Sequence, residues 1–239
     1  MYLDQLILEV TRKCNLQCRH CLRGCAQNLF MSREVLVNAL VGHDGISSLT
    51  LTGGEPSLAV PVIESIVELI QWRDVHFDWF YIVTNGKTRN GWRKFLADLD
   101  RLQELASEPS ECCLTLSQDQ FHRELHDVKA CRRKFEDEWG EYRPYFKPND
   151  RTTDIVEPLN EGRAKTEGVG WKEPELQEPW TLRDDYVEGT IYVSANGNVV
   201  SNCNMSYARI DEQARGNVLK ASLRDIILSD CVREEQAVA

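Results

Sequence analysis

Short apolar runs alternate with stretches of helical period through the first 140 residues or so, and that alternation leaves few folds open. Leu6–Val10, Ile46–Leu51, Phe80–Val83 and Cys113–Leu116 read as buried strands. Between the first two, Val35, Leu36, Ala39 and Leu40 recur at helical spacing behind Ser32, a predicted N-cap. Pro61 opens a second helix with Ile63, Ile66, Val67 and Ile70 on one face. Trp92–Leu105 reads as a third helix and Val128–Trp139 as a fourth. Strands separated by helices of this length imply βαβ units and a parallel sheet.

The rhythm weakens after residue 140. "YFK" (145–147) and "DIVE" (154–157) are candidates for two more strands, and residues 168–188, rich in Trp, Pro and Glu, read as an irregular covering segment. "TIYVSANGNVVSN" (190–202) alternates about Asn196-Gly197, the strongest short signal for a β-hairpin. Ser222–Ser229 reads as a closing helix. The expected division is a barrel-like unit over 1–167 and a smaller covering unit over 168–239. The chain starts directly at its first strand, so the expectation is that no leader-binding domain precedes it.

Composition narrows the class. A net charge of −10 argues against a nucleic-acid backbone as the main partner, since phosphates are neutralised by clustered Lys and Arg. No apolar run approaches the ~20 residues of a membrane span, and the N-terminus has no basic segment before an apolar one. The expected location is therefore the cytoplasm, where thiols stay reduced. Nine cysteines there suit metal or redox chemistry better than a disulfide framework.

In a parallel α/β fold the strand-to-helix loops open at one edge, where ligands bind. Four polar signals fall at those positions in order. "CNLQCRHC" (14–21) follows the first strand, "TGGEP" (52–56) the second, "TNG" (84–86) the third and "SQDQFH" (117–122) the fourth. Taken singly, Gly-Gly and Asn-Gly are ordinary turn residues. The cysteines alone also fit a four-thiolate zinc site made of Cys14, Cys18, Cys21 and Cys25.

C-x3-C-x2-C after the first strand with Gly-Gly-Glu-Pro after the second resembles the radical S-adenosylmethionine (radical SAM) superfamily, over roughly residues 5–165. The resemblance implies a partial (β/α)6 TIM-like barrel with a short C-terminal β-hairpin and helix extension. It implies a [4Fe–4S] cluster on Cys14, Cys18 and Cys21, with the fourth iron open to S-adenosylmethionine. Reductive cleavage there yields a radical that abstracts a substrate hydrogen. Three soft thiolates suit iron–sulfur ligation, and a missing fourth ligand leaves the open position. By the same resemblance Gly53, Gly54, Glu55 and Pro56 hold the methionine group, with Glu55 paired to its ammonium. Thr84, Asn85, Ser117 and Asp119 meet the rest of the cofactor, and His20 takes the aromatic position beside the adenine. "EGRAK" (161–165) resembles a stretch after the last barrel strands of members with iron–sulfur extensions.

Residues 192–227 resemble the SPASM or twitch extension, which carries auxiliary clusters, but offer only Cys203, with Cys231 just beyond. Four thiolates are needed, so loss of that cluster is expected. The implied partners are a peptide or small-molecule substrate and an electron donor of flavodoxin or ferredoxin type, with neither nucleic acid nor membrane. The rival readings are an activase that places a glycyl radical on a partner enzyme, and a zinc- or cluster-stabilised binding protein without turnover.

Overall fold

The computed structural model describes residues 1–87, 91–131, 133 and 157–235. Its centre is a mixed sheet in the order β4-β3-β2-β1-β6-β7-β8, with a short β5 on β6. The strands are β1 (Tyr2–Thr11), β2 (Gly45–Gly53), β3 (Phe77–Thr84), β4 (Cys113–Leu116), β5 (Thr181–Arg183), β6 (Tyr186–Val193), β7 (Asn198–Val200) and β8 (Gly216–Asn217). β1 to β4 run parallel, each beside the next, with α1 (Arg33–Leu40), α2 (Val60–Arg73) and α3 (Trp92–Leu105) as the crossovers. This is the predicted class, a TIM-like barrel left open. The candidate strands at 145–147 and 154–157 lie outside the described residues, apart from Glu157, which is not in a strand. Most of the predicted fourth helix lies outside them too; residues 128–131 and 133 are helical.

The local causes match the sequence signals. Ser32 Oγ accepts the Val35 amide at 3.3 Å, and Val35, Leu36, Ala39 and Leu40 are buried. Pro61 lies in the first turn of α2, where a missing N–H costs no bond. Leu6, Leu8 and Val10 of β1 join the main core with the helices, while Ile7 packs on the opposite face with Tyr192, Val200, Met205 and Ile210.

β1 is longer than its apolar run because its polar ends find partners in β6. Tyr186 Oη donates to Asp4 at 3.0 Å and Thr190 Oγ1 to Gln5 Oε1 at 2.7 Å. β6 therefore runs parallel to β1 as a further strand of the same sheet, then turns into β7 about Gly197, whose φ of +87° suits glycine. The stretch read as irregular contains β5, paired antiparallel to β6. The closing helix spans Leu223–Glu235, past its predicted end, with Ser222 Oγ accepting the Asp225 amide. No helix among the described residues is long and apolar enough to cross a membrane.

Candidate functional site

The loop after β1 is a closed excursion. Arg12 N donates to Leu29 O at 2.9 Å and Gln27 N to Arg12 O at 3.0 Å, which pins its neck. Within it lie Cys14, Cys18 and Cys21, with Cys21 N donating to Cys18 O at 3.2 Å. The glycine turn after β2 is bonded directly to this loop, Gly54 N to Thr11 O and Glu55 N to Lys13 O, both at 2.8 Å. The approach is so close that a Cβ on Gly53 would stand 2.2 Å from Thr11 O, and one on Gly54 2.3 Å from Lys13 O. That steric demand explains the paired glycines.

Glu55 ties the next strand in. Buried to 1% exposure, it accepts Thr84 Oγ1 at 2.6 Å and Ser57 N at 3.1 Å on Oε1, and Asn85 N at 2.8 Å on Oε2. Asn85 Nδ2 donates to Asn15 Oδ1 at 2.9 Å, and Asn15 Nδ2 to Lys87 O, so the third loop also holds the cysteine loop. Ser117 N donates to Thr84 O at 2.9 Å, bringing in the fourth. On the far side Arg163 N donates to Cys21 O at 2.9 Å and Tyr207 N to Arg23 O at 3.1 Å. The second and third loops, Arg163 and Tyr207 therefore bond to the cysteine loop directly, and the fourth loop joins it through Thr84.

These loops enclose one cleft of about 290 Å³. Cys14, Cys18, Cys21, Gly53, Gly54, Glu55, Pro56, Thr84, Asn85 and Ser117 all line it. Asp119 does not. Its Oδ1 caps the short helix α4 (Gln120–Arg123) by accepting the Phe121 and His122 amides, and its Oδ2 meets His122 Nδ1 at 2.6 Å. His122 stands on the cleft wall in its place. Burial opposes the charge on Asp119, but its bonds to His122 prevail and bring its pKa down to about 2. His20 lines the cleft stacked on Phe121, ring centroids 4.5 Å apart, and burial holds its imidazole down to about 4.

Phe121 and His122 stood in the sequence signal "SQDQFH" without a role, although Asp119 is of a type that favours an N-cap. Arg23 had no role either, since no spacing rule marks it. Cys25 is exposed. Cys203 packs against the Ile7 cluster, whereas Cys231 lies against the main core and donates to Trp180 O, so the two C-terminal thiols occupy separate apolar clusters.

The thiols show what the site must do to take a metal. Burial, reinforced by neighbouring thiols and, at Cys14, by Glu55, raises the Cys14 pKa to about 11; it raises that of Cys18 to about 12. Both are protonated at neutral pH in the free chain, and a metal must displace those protons on binding.

No protein-family model matches the chain. Over 108 residues, 42% of this chain and 33% of its relative, it is 34% identical to a probable GTP 3',8-cyclase of Saccharolobus islandicus. Over 93 residues, 36% of this chain, it is 32% identical to molybdenum cofactor biosynthesis protein 1 of Homo sapiens, covering 14% of that protein. Over 69 residues, 28% of this chain, it is 38% identical to an uncharacterized protein of Methanocaldococcus jannaschii, covering 24% of it. The chain thus spans a third or less of the curated relatives it matches. In structure it resembles anSMEcpe with bound AdoMet, with a TM-score of 0.54 at 16% identity over 94% of this chain and 80% of the other. GTP 3',8-cyclase and anSMEcpe are radical SAM enzymes, and the likeness to anSMEcpe is one of fold. The shared fold and the sequence matches, each over less than half of this chain, make the chain similar to radical SAM proteins.

Proposed function

We propose that the chain holds a [4Fe–4S] cluster on Cys14, Cys18 and Cys21, binds S-adenosylmethionine in the adjoining cleft and uses it to abstract hydrogen from a peptide side chain or small metabolite. The observation that carries this reading is the single cleft, lined at once by the three thiols, the glycine turn and the ends of β3 and β4. The donor set fits the group. Three soft sulfurs stand on one loop, the glycine turn has no room for side chains, and a buried carboxylate faces the same space.

A cluster bound there supplies the electron for reductive cleavage of S-adenosylmethionine and, through it, the hydrogen abstraction. The protein's own groups position and shield. Glu55 is fixed by three hydrogen bonds, and the lone pair left on Oε2 can take the methionine ammonium without a rotamer search. His20, fixed against Phe121, offers a neutral flat face to the adenine. Asp119 holds His122, which presents its ring to the cleft. Met205 and Tyr207 close one flank of the cysteine loop through Arg23, so the C-terminal unit helps to exclude water. The electron comes from a donor of flavodoxin or ferredoxin type.

Anaerobic reconstitution with iron counting and S-adenosylmethionine cleavage tests this. Wild type and Cys25→Ala are expected to hold about four irons and cleave the cofactor, and Cys18→Ala to do neither. A colourless zinc protein, or loss of the cluster in Cys25→Ala, overturns the assignment.

A further inference from the structure

Behind the cysteine loop lies a second cavity, of about 390 Å³, between residues 23–27, the 162–166 helix and Ser206–Ala208. We propose that it binds the oxyanion of the substrate, a carboxylate or a phosphate; the word "substrate" rests on the function proposed above, while the anion site stands on the cavity itself.

Charge is the first argument. The chain carries a net charge of −10, yet no Asp or Glu is among the described residues that line this cavity, and two arginines are. Nearby arginines have carboxylates: Arg12 pairs with Glu9 and Asp211, Arg209 with Glu161, and Arg215 with Asp230. Arg23 and Arg163 pair with no carboxylate among the described residues. Glu9 attracts Arg23 from beyond ion-pair distance, so what both guanidiniums lack is a carboxylate in contact, and an anion in the cavity would supply it.

Two further polar groups are donors too, whereas Thr166 spends its hydroxyl proton on Arg163 O at 3.0 Å. Gln27 Oε1 is taken by Arg12 at 3.2 Å, which leaves its amide hydrogens. Ser206 Oγ accepts the Arg209 amide at 3.3 Å, which leaves its hydroxyl proton. Arg23 is already oriented: one terminal nitrogen donates to Met205 O at 2.6 Å, and its plane lies 4.9 Å from the Tyr192 ring centroid. Its other donors remain for a ligand, in the fork that suits carboxylate and phosphate.

Position is the second argument. Arg23 lines both this cavity and the cleft with the three thiols. A molecule anchored by its anion here extends past Arg23 toward the site where hydrogen is abstracted. Volumes of this order suit one end of a small ligand.

The test is calorimetric titration of the reconstituted full chain with inorganic phosphate and, separately, glutarate. Saturable binding of at least one is expected, and which of them binds names the anion. Arg163→Gln should weaken it at least about tenfold, and Arg163→Lys less, with iron content and S-adenosylmethionine affinity unchanged. Equal anion affinity in wild type and Arg163→Gln, or no saturable binding of either probe, overturns the proposal. A chain that binds no S-adenosylmethionine but takes the anion through Arg163 refutes the function proposed above and supports this site.

Discussion

Replacing Arg12 by Met should destabilise the whole chain and do so through Glu9. Arg12 is 1% exposed and Glu9 0%. Arg12 Nε donates to Glu9 Oε1 at 2.7 Å, and its two terminal nitrogens grip Asp211 at 2.8 and 2.9 Å. Glu9 also accepts Tyr192 Oη at 2.6 Å and the Ala195 amide at 3.1 Å, so β1, the cysteine loop and the C-terminal hairpin meet on one carboxylate. The two partners of Arg12 differ in what its loss leaves behind. Asp211 has a side chain 39% exposed and returns to water, so that pair is worth about 1 kcal/mol or less. Glu9 cannot be rehydrated. An uncompensated buried charge costs roughly 3–5 kcal/mol, about 6–20 °C in Tm for a chain of this size. Differential scanning calorimetry of Arg12→Met, Asp211→Asn and the double variant Glu9→Gln/Arg12→Met separates the two. The single Arg12 variant should fall furthest, Asp211→Asn should lose little, and the double variant should recover a large part. A loss under about 1 kcal/mol for Arg12→Met, or a double variant no better than the single, refutes the reasoning.

Gly54→Ala should cost the cluster: the new Cβ would lie 2.3 Å from Lys13 O and 2.7 Å from Lys13 C, both backbone atoms, so the cysteine loop must move; full iron loading with unchanged cofactor affinity would show that it need not. Burial holds His43 down to about 4, so the folded chain takes up a proton there less readily than the unfolded one, and its contribution to stability, present above the unfolded value, is lost as pH falls from about 6.5 to about 4. His43→Leu should flatten that part of the denaturant-midpoint profile, and an unchanged profile would exclude His43 as its source.

The parallel half of the fold was legible because its signals are local. Trp92–Leu105 and Cys113–Leu116 fall where the apolar period placed them, and Ser32 and Pro61 mark helix starts by chemistry confined to one turn. Ten of the proposed cleft residues were legible for a related reason. In a parallel sheet, chain order alone carries every strand-to-helix loop to one edge, so four polar signals at four strand ends must converge before any contact is known. Asp119 shows the limit. The topology brought it to the right edge, but the choice of which of two polar side chains three residues apart faces the cleft depends on a helix cap, and the cap turned Asp119 onto His122.

What stayed hidden is held by pairs far apart in sequence. The full length of β1 was invisible because the polar residues Asp4 and Gln5, before the apolar run Leu6–Val10, find their hydrogen bonds only in Tyr186 and Thr190, some 180 residues later. For the same reason the sequence carried no sign that β6 lies beside β1. The join is also where burial makes charge most expensive. Arg12 leads into the cysteine loop, Glu9 lies near the end of the strand beneath it, and beyond each other and Gln27 their side-chain partners among the described residues come from the C-terminal segment. Truncation before β6 would therefore strand a buried ion pair at the neck of the loop that carries the thiols. On that argument residues 186–211 complete the site's foundation, whatever else they do for a substrate.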